Sequence, residues 1–144
     1  MQCAGAIAGV ALANSMFGEP LFAWWTHVRS GAPQLLSEVT ATFGLLGVIW
    51  GCSRRRSDAV PFAVGAYITA AYWFTASTSF ANPAVTIARS LTNTFAGIRP
   101  ADTAGFIAAQ IVGATLATAL FRWLVPTLPE TADRVVVPHT HTTV

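Results

Sequence analysis

The chain has 144 residues, of which 53% are apolar and 10% are charged, against about 25% charged in an average soluble domain. Its 8 basic and 6 acidic residues, net +2, exclude a clustered basic surface for nucleic acid, and the apolar excess excludes a disordered chain. Two cysteines, Cys3 and Cys52, cannot build a disulfide scaffold, so the composition points to a small integral membrane protein.

The elements follow in chain order. Residues 2–17 carry no charge and no basic leader, so they read as the closing part of a span, over 1–18, rather than as a signal peptide. Residues 19–32, with Trp24, Trp25 and His27, read as an external loop whose tryptophans suit a membrane interface. A span is expected over 33–52, with Glu38 as its single acid. Arg54, Arg55 and Arg56 in the loop 53–59 place that loop in the cytoplasm by the excess of arginine. The next 30 residues, Ala59 to Ala88, hold no charge, and a second span is expected over 60–78. A third is expected over 101–125, and the polar tail 126–144, with Pro126, Pro129 and Pro138, falls on the cytoplasmic side.

The alternative to spans is the buried helical core of a soluble protein. The uncharged runs are long for that, and the small residues are spaced for membrane packing. Gly5 and Gly9 are four apart, as are Gly47 and Gly51, and Gly105, Ala109, Gly113 and Ala117 form one stripe. Such stripes let helices approach closely where lipid supplies no hydrophobic drive.

Residues 79–100 are too apolar for a free loop and too short to span. Asn82 is a favoured N-cap and Pro83 a favoured first helical residue. Ala84 to Leu91 then reads as two turns of a half-helix that enters the membrane and stops near Asn93. Irregular backbone at that depth is tolerated where it lines a cavity or is buried in protein, so Ser77–Ala81 is expected to line a polar path.

Here the sequence resembles the aquaporin, or major intrinsic protein, family. The resemblance rests on Asn82-Pro83-Ala84 flanked, in order, by SEVTATFGLLGVIWG, PFAVGAYITAAYW and a helix with Ala109-Gln110-x-x-Gly113-Ala114. It covers residues 1–125. Within the family the chain is most similar to bacterial aquaglyceroporin-like, arsenic-linked members. The family is built from two inverted repeats of three spans and a half-helix. The implied fold is therefore an all-α membrane bundle. It comprises the second repeat, with three transmembrane helices and one re-entrant half-helix, preceded by the end of a third span. Gln2-x-x-Gly5-Ala6 recurring as Gln110-x-x-Gly113-Ala114 fits that repeat. The first two spans and the first half-helix of the family pattern have no counterpart in these residues.

The resemblance implies a passive channel for water and small neutral solutes such as glycerol or metalloid hydroxides, arsenite among them. It also implies a homotetramer in the bacterial inner membrane, with no cofactor, no metal and no catalytic set. Asn82 would present its amide at the pore centre, or else serve as a plain N-cap. Pro83 and Ala84 would shape the motif. The filter places fall on Ala70, Ser79 and Val85, all small and uncharged, where the family places an arginine at the last of these. That implies a wide filter. Arg89, one turn beyond Val85, reads most simply as an interfacial arginine snorkelling to water. The other reading is a partial substitute for the filter arginine from the outer vestibule. Glu38 matches a glutamate that braces the re-entrant loop, the alternative being an interfacial acid. His139 and His141 in the tail, and Cys52 beside three arginines, lack the spacing of a metal site. Two other functions remain open at this level: a non-conducting fragment of such a channel, and a half-channel that needs a separate first repeat.

Overall fold

The computed structural model describes residues 1–26 and 28–124. His27 and the tail 125–144, with its two histidines, lie outside the described residues. Among the described residues there are five α-helices: α1 Gln2–Met16, α2 Ala32–Ser53, α3 Val60–Phe74, α4 Pro83–Arg89 and α5 Pro100–Leu124. A 3-10 turn, Ser57–Ala59, leads into α3.

Helices α2 and α5, of 22 and 25 residues, are long and apolar enough to cross a membrane. They pack against each other and run parallel. Leu35 meets Gly105, Glu38 reaches Gln110, Thr42 meets Gly113, and Gly47 meets Phe121. The small stripe on α5 makes this approach possible. A β-carbon at Gly113 would lie 2.5 Å from the Val39 carbonyl oxygen and 3.2 Å from the Phe43 nitrogen, too close for either helix to absorb. Most of both helices is open rather than enclosed, and Leu36, Ile111, Leu116 and Trp123 are exposed. Those faces suit lipid and do not suit water.

Helix α3 returns antiparallel along α2. The Tyr67 hydroxyl donates to the Ala41 carbonyl at 3.0 Å, and it occupies the place where a side chain at Gly44 would stand. The helix stops at Phe74, four residues short of the expected 78. The cause lies on α2. Ser37 Oγ accepts from the Ala76 N–H at 3.2 Å, and Gln34 Nε2 donates to the Ala76 carbonyl at 3.1 Å. Both backbone groups of Ala76 are thus drawn out of the helical ladder, and Thr75 is extended. At about 1.5 Å per residue, α3 alone is shorter than a bilayer core; the preceding 3-10 turn lengthens it.

Helix α1 behaves differently. Only Asn14 on it is buried, and Gly5 and Gly9 have nothing within 4 Å of a hypothetical β-carbon. The expected tight packing at these two glycines is absent among the described residues. The same holds at Gly51. Helix α1 is mostly apolar and touches chiefly α4, so most of its small-residue surface has no neighbouring helix among the described residues.

Helix α4 is only 7 residues long, shorter than the two turns expected to Leu91. Its last turn tightens as Ser90 N–H and Oγ both donate to the Ile87 carbonyl. The next carbonyls are claimed from outside: Arg89 O by the Ile98 N–H and Leu91 O by the Ala23 N–H. The chain at Ala23 therefore lies against the end of α4 instead of extending away from it.

Candidate functional site

The site is built where the α3–α4 connection meets α2 and α5. Thr78, Ser79 and Ala81 all have left-handed backbones, with φ of 62, 48 and 50°. Non-glycine residues, β-branched threonine above all, resist that region, at a cost of roughly 1–2 kcal/mol each. Glu38 supplies the compensation. Its side chain is fully buried, and its two oxygens accept from the Phe80 N–H at 2.9 Å and the Ala81 N–H at 3.0 Å. A trans peptide points its N–H and C=O in opposite directions. With the two N–H groups turned to Glu38, the carbonyls of Ser79 and Phe80 are turned away from it.

Gln110, 2% exposed, ties this loop to α4. Its Nε2 donates to Glu38 Oε2 at 2.7 Å and to Thr86 Oγ1 at 2.8 Å. Thr86 Oγ1 in turn donates to the Asn82 carbonyl at 3.0 Å. Gln110 is the eleventh residue of the 25 in α5, so α4 begins roughly 15 Å along that helix by its rise. It then climbs back toward the level where α5 starts.

Asn82 caps α4, its Oδ1 accepting the Ala84 N–H at 2.8 Å. Capping uses the oxygen alone. The side chain is half-buried and lines an open cavity of about 270 Å³ with Gln110, Thr42 and Gln2. Pro83 is exposed at the first helical position, and Ala84 is buried.

The three filter candidates are in different surroundings. Ala70 is on the exposed face of α3. Ser79 is 3% exposed, and its hydroxyl has no hydrogen-bond partner among the described residues. Val85 is half-buried, packs against the cluster of Phe80, Ile98 and Phe106, and lines a second cavity of about 310 Å³ between α1 and α4. Arg89 lines that same cavity. Its guanidinium carbon lies 4.3 Å from the centre of the Phe80 ring and 5.8 Å from that of Tyr72. Its Nη1 is buried without a hydrogen-bond partner among the described residues. The head group is folded inward over aromatic faces, an arrangement that favours cations, rather than stretched out to water.

One residue at this site has no local signal in the sequence. Arg29, in the segment between α1 and α2, donates from Nη1 to the Ser77 carbonyl at 2.8 Å and from Nη2 to the Phe95 carbonyl at 2.6 Å. Its guanidinium also stands 5.6 Å from the Phe80 ring centre. Its backbone N–H donates to Asp102 Oδ2 at 2.8 Å, while Asp102 Oδ1 takes Arg99 Nη2 at 2.7 Å. Burial draws the Arg29 guanidinium below its ordinary pKa, with Tyr72 and Glu38 acting in the opposite direction; an arginine remains a cation nonetheless. A lone arginine 48 residues from Ser77 gives no pattern from which this contact follows.

Comparison with known proteins identifies the family. The family description "Major intrinsic protein" matches residues 54–144. The chain is 56% identical over 139 residues to the aquaglyceroporin AqpS of Rhizobium meliloti (strain 1021). That alignment takes in 91% of this chain and 60% of the relative, so the chain spans only part of that protein's length. No solved structure matches it significantly. A chain whose described residues fold into helices with apolar outer faces, matched by this family description over more than half its length, is thus an integral membrane protein, and it belongs to the major intrinsic protein family.

Proposed function

We propose that this chain forms one side of a passive channel for water and small uncharged solutes, glycerol and metalloid hydroxides such as arsenite among them. The observation that carries the reading is at Asn82. Its oxygen is committed to capping α4, which leaves the amide NH₂ to face the cavity it lines. Two N–H donors fixed there suit the oxygen of a passing water or alcohol. The start of a helix adds a positive dipole end, which opposes cations.

In this reading α2, α3 with its leading turn, and α5 are the spans, α4 is the re-entrant half-helix of a second inverted repeat, and α1 is the end of a third span. The loop with Arg54, Arg55 and Arg56 and the tail lie in the cytoplasm, and four copies assemble in the inner membrane. Ala70, Ser79 and Val85 leave the filter wide because none projects charge or bulk, and Glu38 braces the loop that Asn82 ends. The likeness to an aquaglyceroporin supports glycerol as the first solute to test.

A second reading is favoured by α1. With one buried residue in 15, it presents a broad open face beside the Val85–Arg89 cavity. Here the path is completed only when a second copy or a separate first repeat covers that face.

Reconstitution separates the two. Proteoliposomes holding the 144-residue chain are shrunk osmotically in glycerol and followed by light scattering. Glycerol entry faster than in empty liposomes supports conduction by this chain. Entry equal to that of empty liposomes refutes it, and recovery on co-reconstituting a first-repeat segment supports the half-channel.

A further inference from the structure

We propose that Arg29, delivered by the segment between α1 and α2, is the charge-selecting residue at the outer end of the path, where Val85 on α4 offers no charge. The inference rests on the channel reading above. It begins with position. Arg29 binds the Ser77 carbonyl and stands within 3.4 Å of Thr78 Oγ1, at the top of the loop that descends to Asn82. Its other nitrogen holds the Phe95 carbonyl beyond the far end of α4. The guanidinium therefore bridges the strand that enters the site and the strand that leaves it, and any solute reaching Asn82 from this side passes its charge.

The second consideration is rigidity. A fixed charge selects; a mobile one is screened and moves aside. Arg29 is held at both ends. Its backbone is tied to Asp102, which is itself paired with Arg99, and its head is held by two carbonyls and the Phe80 ring. Planar, forked donors are suited to such multiple bracing, and a lysine's point charge is not.

The third is the balance of charge. Arg89 approaches the same Phe80 ring at 4.3 Å. No ion pair between a carboxylate and either guanidinium occurs among the described residues. Of the two buried acids here, Asp102 is paired with Arg99, and Glu38 has its oxygens taken by two backbone N–H groups and Gln110. The mouth thus carries net positive charge. It repels cations and offers donors to hydroxyl-bearing solutes.

The test uses the 144-residue chain in proteoliposomes and reads the ratio of methylammonium to glycerol permeability. Arg29→Gln keeps a hydrogen-bonding side chain and removes the charge; the ratio is expected to rise about tenfold, the effect of deleting a unit charge roughly 10 Å from the path at an effective dielectric near 20. Arg29→Lys keeps the charge but not the forked bracing, and its ratio is expected to fall between those of the parent and Arg29→Gln. Val85→Arg in the Arg29→Gln background is expected to bring the methylammonium permeability itself back down, read against water rather than glycerol. An unchanged ratio in Arg29→Gln overturns the proposal. Loss of glycerol flux together with selectivity also overturns it, because it marks Arg29 as a clamp alone. If the parent chain passes no glycerol, the channel reading fails and takes this inference with it. If the parent passes glycerol and Arg29→Gln still excludes methylammonium, only the inference fails.

Discussion

Gln110 and Glu38 are joined at 2.7 Å, and this bond is the hinge between the two halves of the site. On one side Glu38 holds the backbone N–H groups of Phe80 and Ala81. On the other, Gln110 holds Thr86 and through it the Asn82 carbonyl. A strained loop and a seven-residue helix, neither stable alone, are thereby fixed to α2 and α5. The depth and orientation of Asn82 follow from this chain of bonds rather than from α4 itself.

Glu38→Gln tests that dependence. Every group facing the Glu38 oxygens is a donor, and an amide can offer only one oxygen to them. At least one buried N–H is left facing another donor, which costs about 1–3 kcal/mol, and the left-handed backbone at Ser79 and Ala81 loses its compensation. The variant is expected to be less stable by about 2–4 kcal/mol. Thermal unfolding in detergent reads this; an unaltered midpoint would show that the loop is braced elsewhere.

Asn82→Asp separates the cap from the amide. Aspartate caps as well as asparagine does, so α4 is expected to keep its length. What changes is the free end of the side chain, from a two-proton donor to an oxygen with negative charge. Glycerol flux is expected to fall several-fold and methylammonium flux to rise. Asn82→Ala loses the cap as well, at about 1 kcal/mol. If Asn82→Asp passes glycerol and excludes methylammonium as the parent does, the amide is a cap and nothing more.

The two longest helices are legible in the sequence because their uncharged runs are long and their boundaries carry Pro33 and Pro100. The start of α4 is legible because Asn82-Pro83 is a local signal. The course of 75–81 is not. No glycine stands at Thr78, Ser79 or Ala81, and their left-handed backbone is imposed by Glu38 from another helix. The early end of α3 is equally a matter of Gln34 and Ser37 on α2. Arg29 is the largest omission. Its place depends on how a 15-residue connection, Phe17 to Gly31, lies across α4 and α5, and only the folded chain brings it to Ser77 and Asp102. Arg89, whose plainer reading was a head group reaching for water, is turned over Phe80 because that ring and Tyr72 offer it an aromatic surface.

Val85→Arg asks what the missing bulk does. Val85 packs against Phe80, Ile98 and Phe106, so a longer side chain must leave that cluster and extend into the cavity it shares with Arg89. There it meets a second guanidinium and narrows the way. The ratio of glycerol to water permeability is expected to drop about tenfold, an energy of about 1.4 kcal/mol. A ratio within twofold of the parent would mean that Val85 does not border the path.

Gly113→Ala and Gly5→Ala form a matched pair on two small-residue motifs of the same spelling. At Gly113 the new methyl would meet the Val39 carbonyl oxygen at 2.5 Å and Thr42 Cβ at 3.1 Å. Neither neighbour is a flexible side-chain end, so α2 and α5 must part. Overpacking of this kind costs about 1–3 kcal/mol. It also strains the Glu38–Gln110 bond, which lies one turn away on the same helix face. Gly113→Ala is therefore expected to lose both thermal stability and glycerol flux. At Gly5 nothing stands within 4 Å, and alanine is the better helix former by about 1 kcal/mol. Gly5→Ala is expected to match or exceed the parent in thermal unfolding of the 144-residue chain in detergent. If Gly5→Ala is instead the damaging member of the pair, the open face of α1 is occupied by another helix in the assembled protein, and the half-channel reading gains over conduction by one chain.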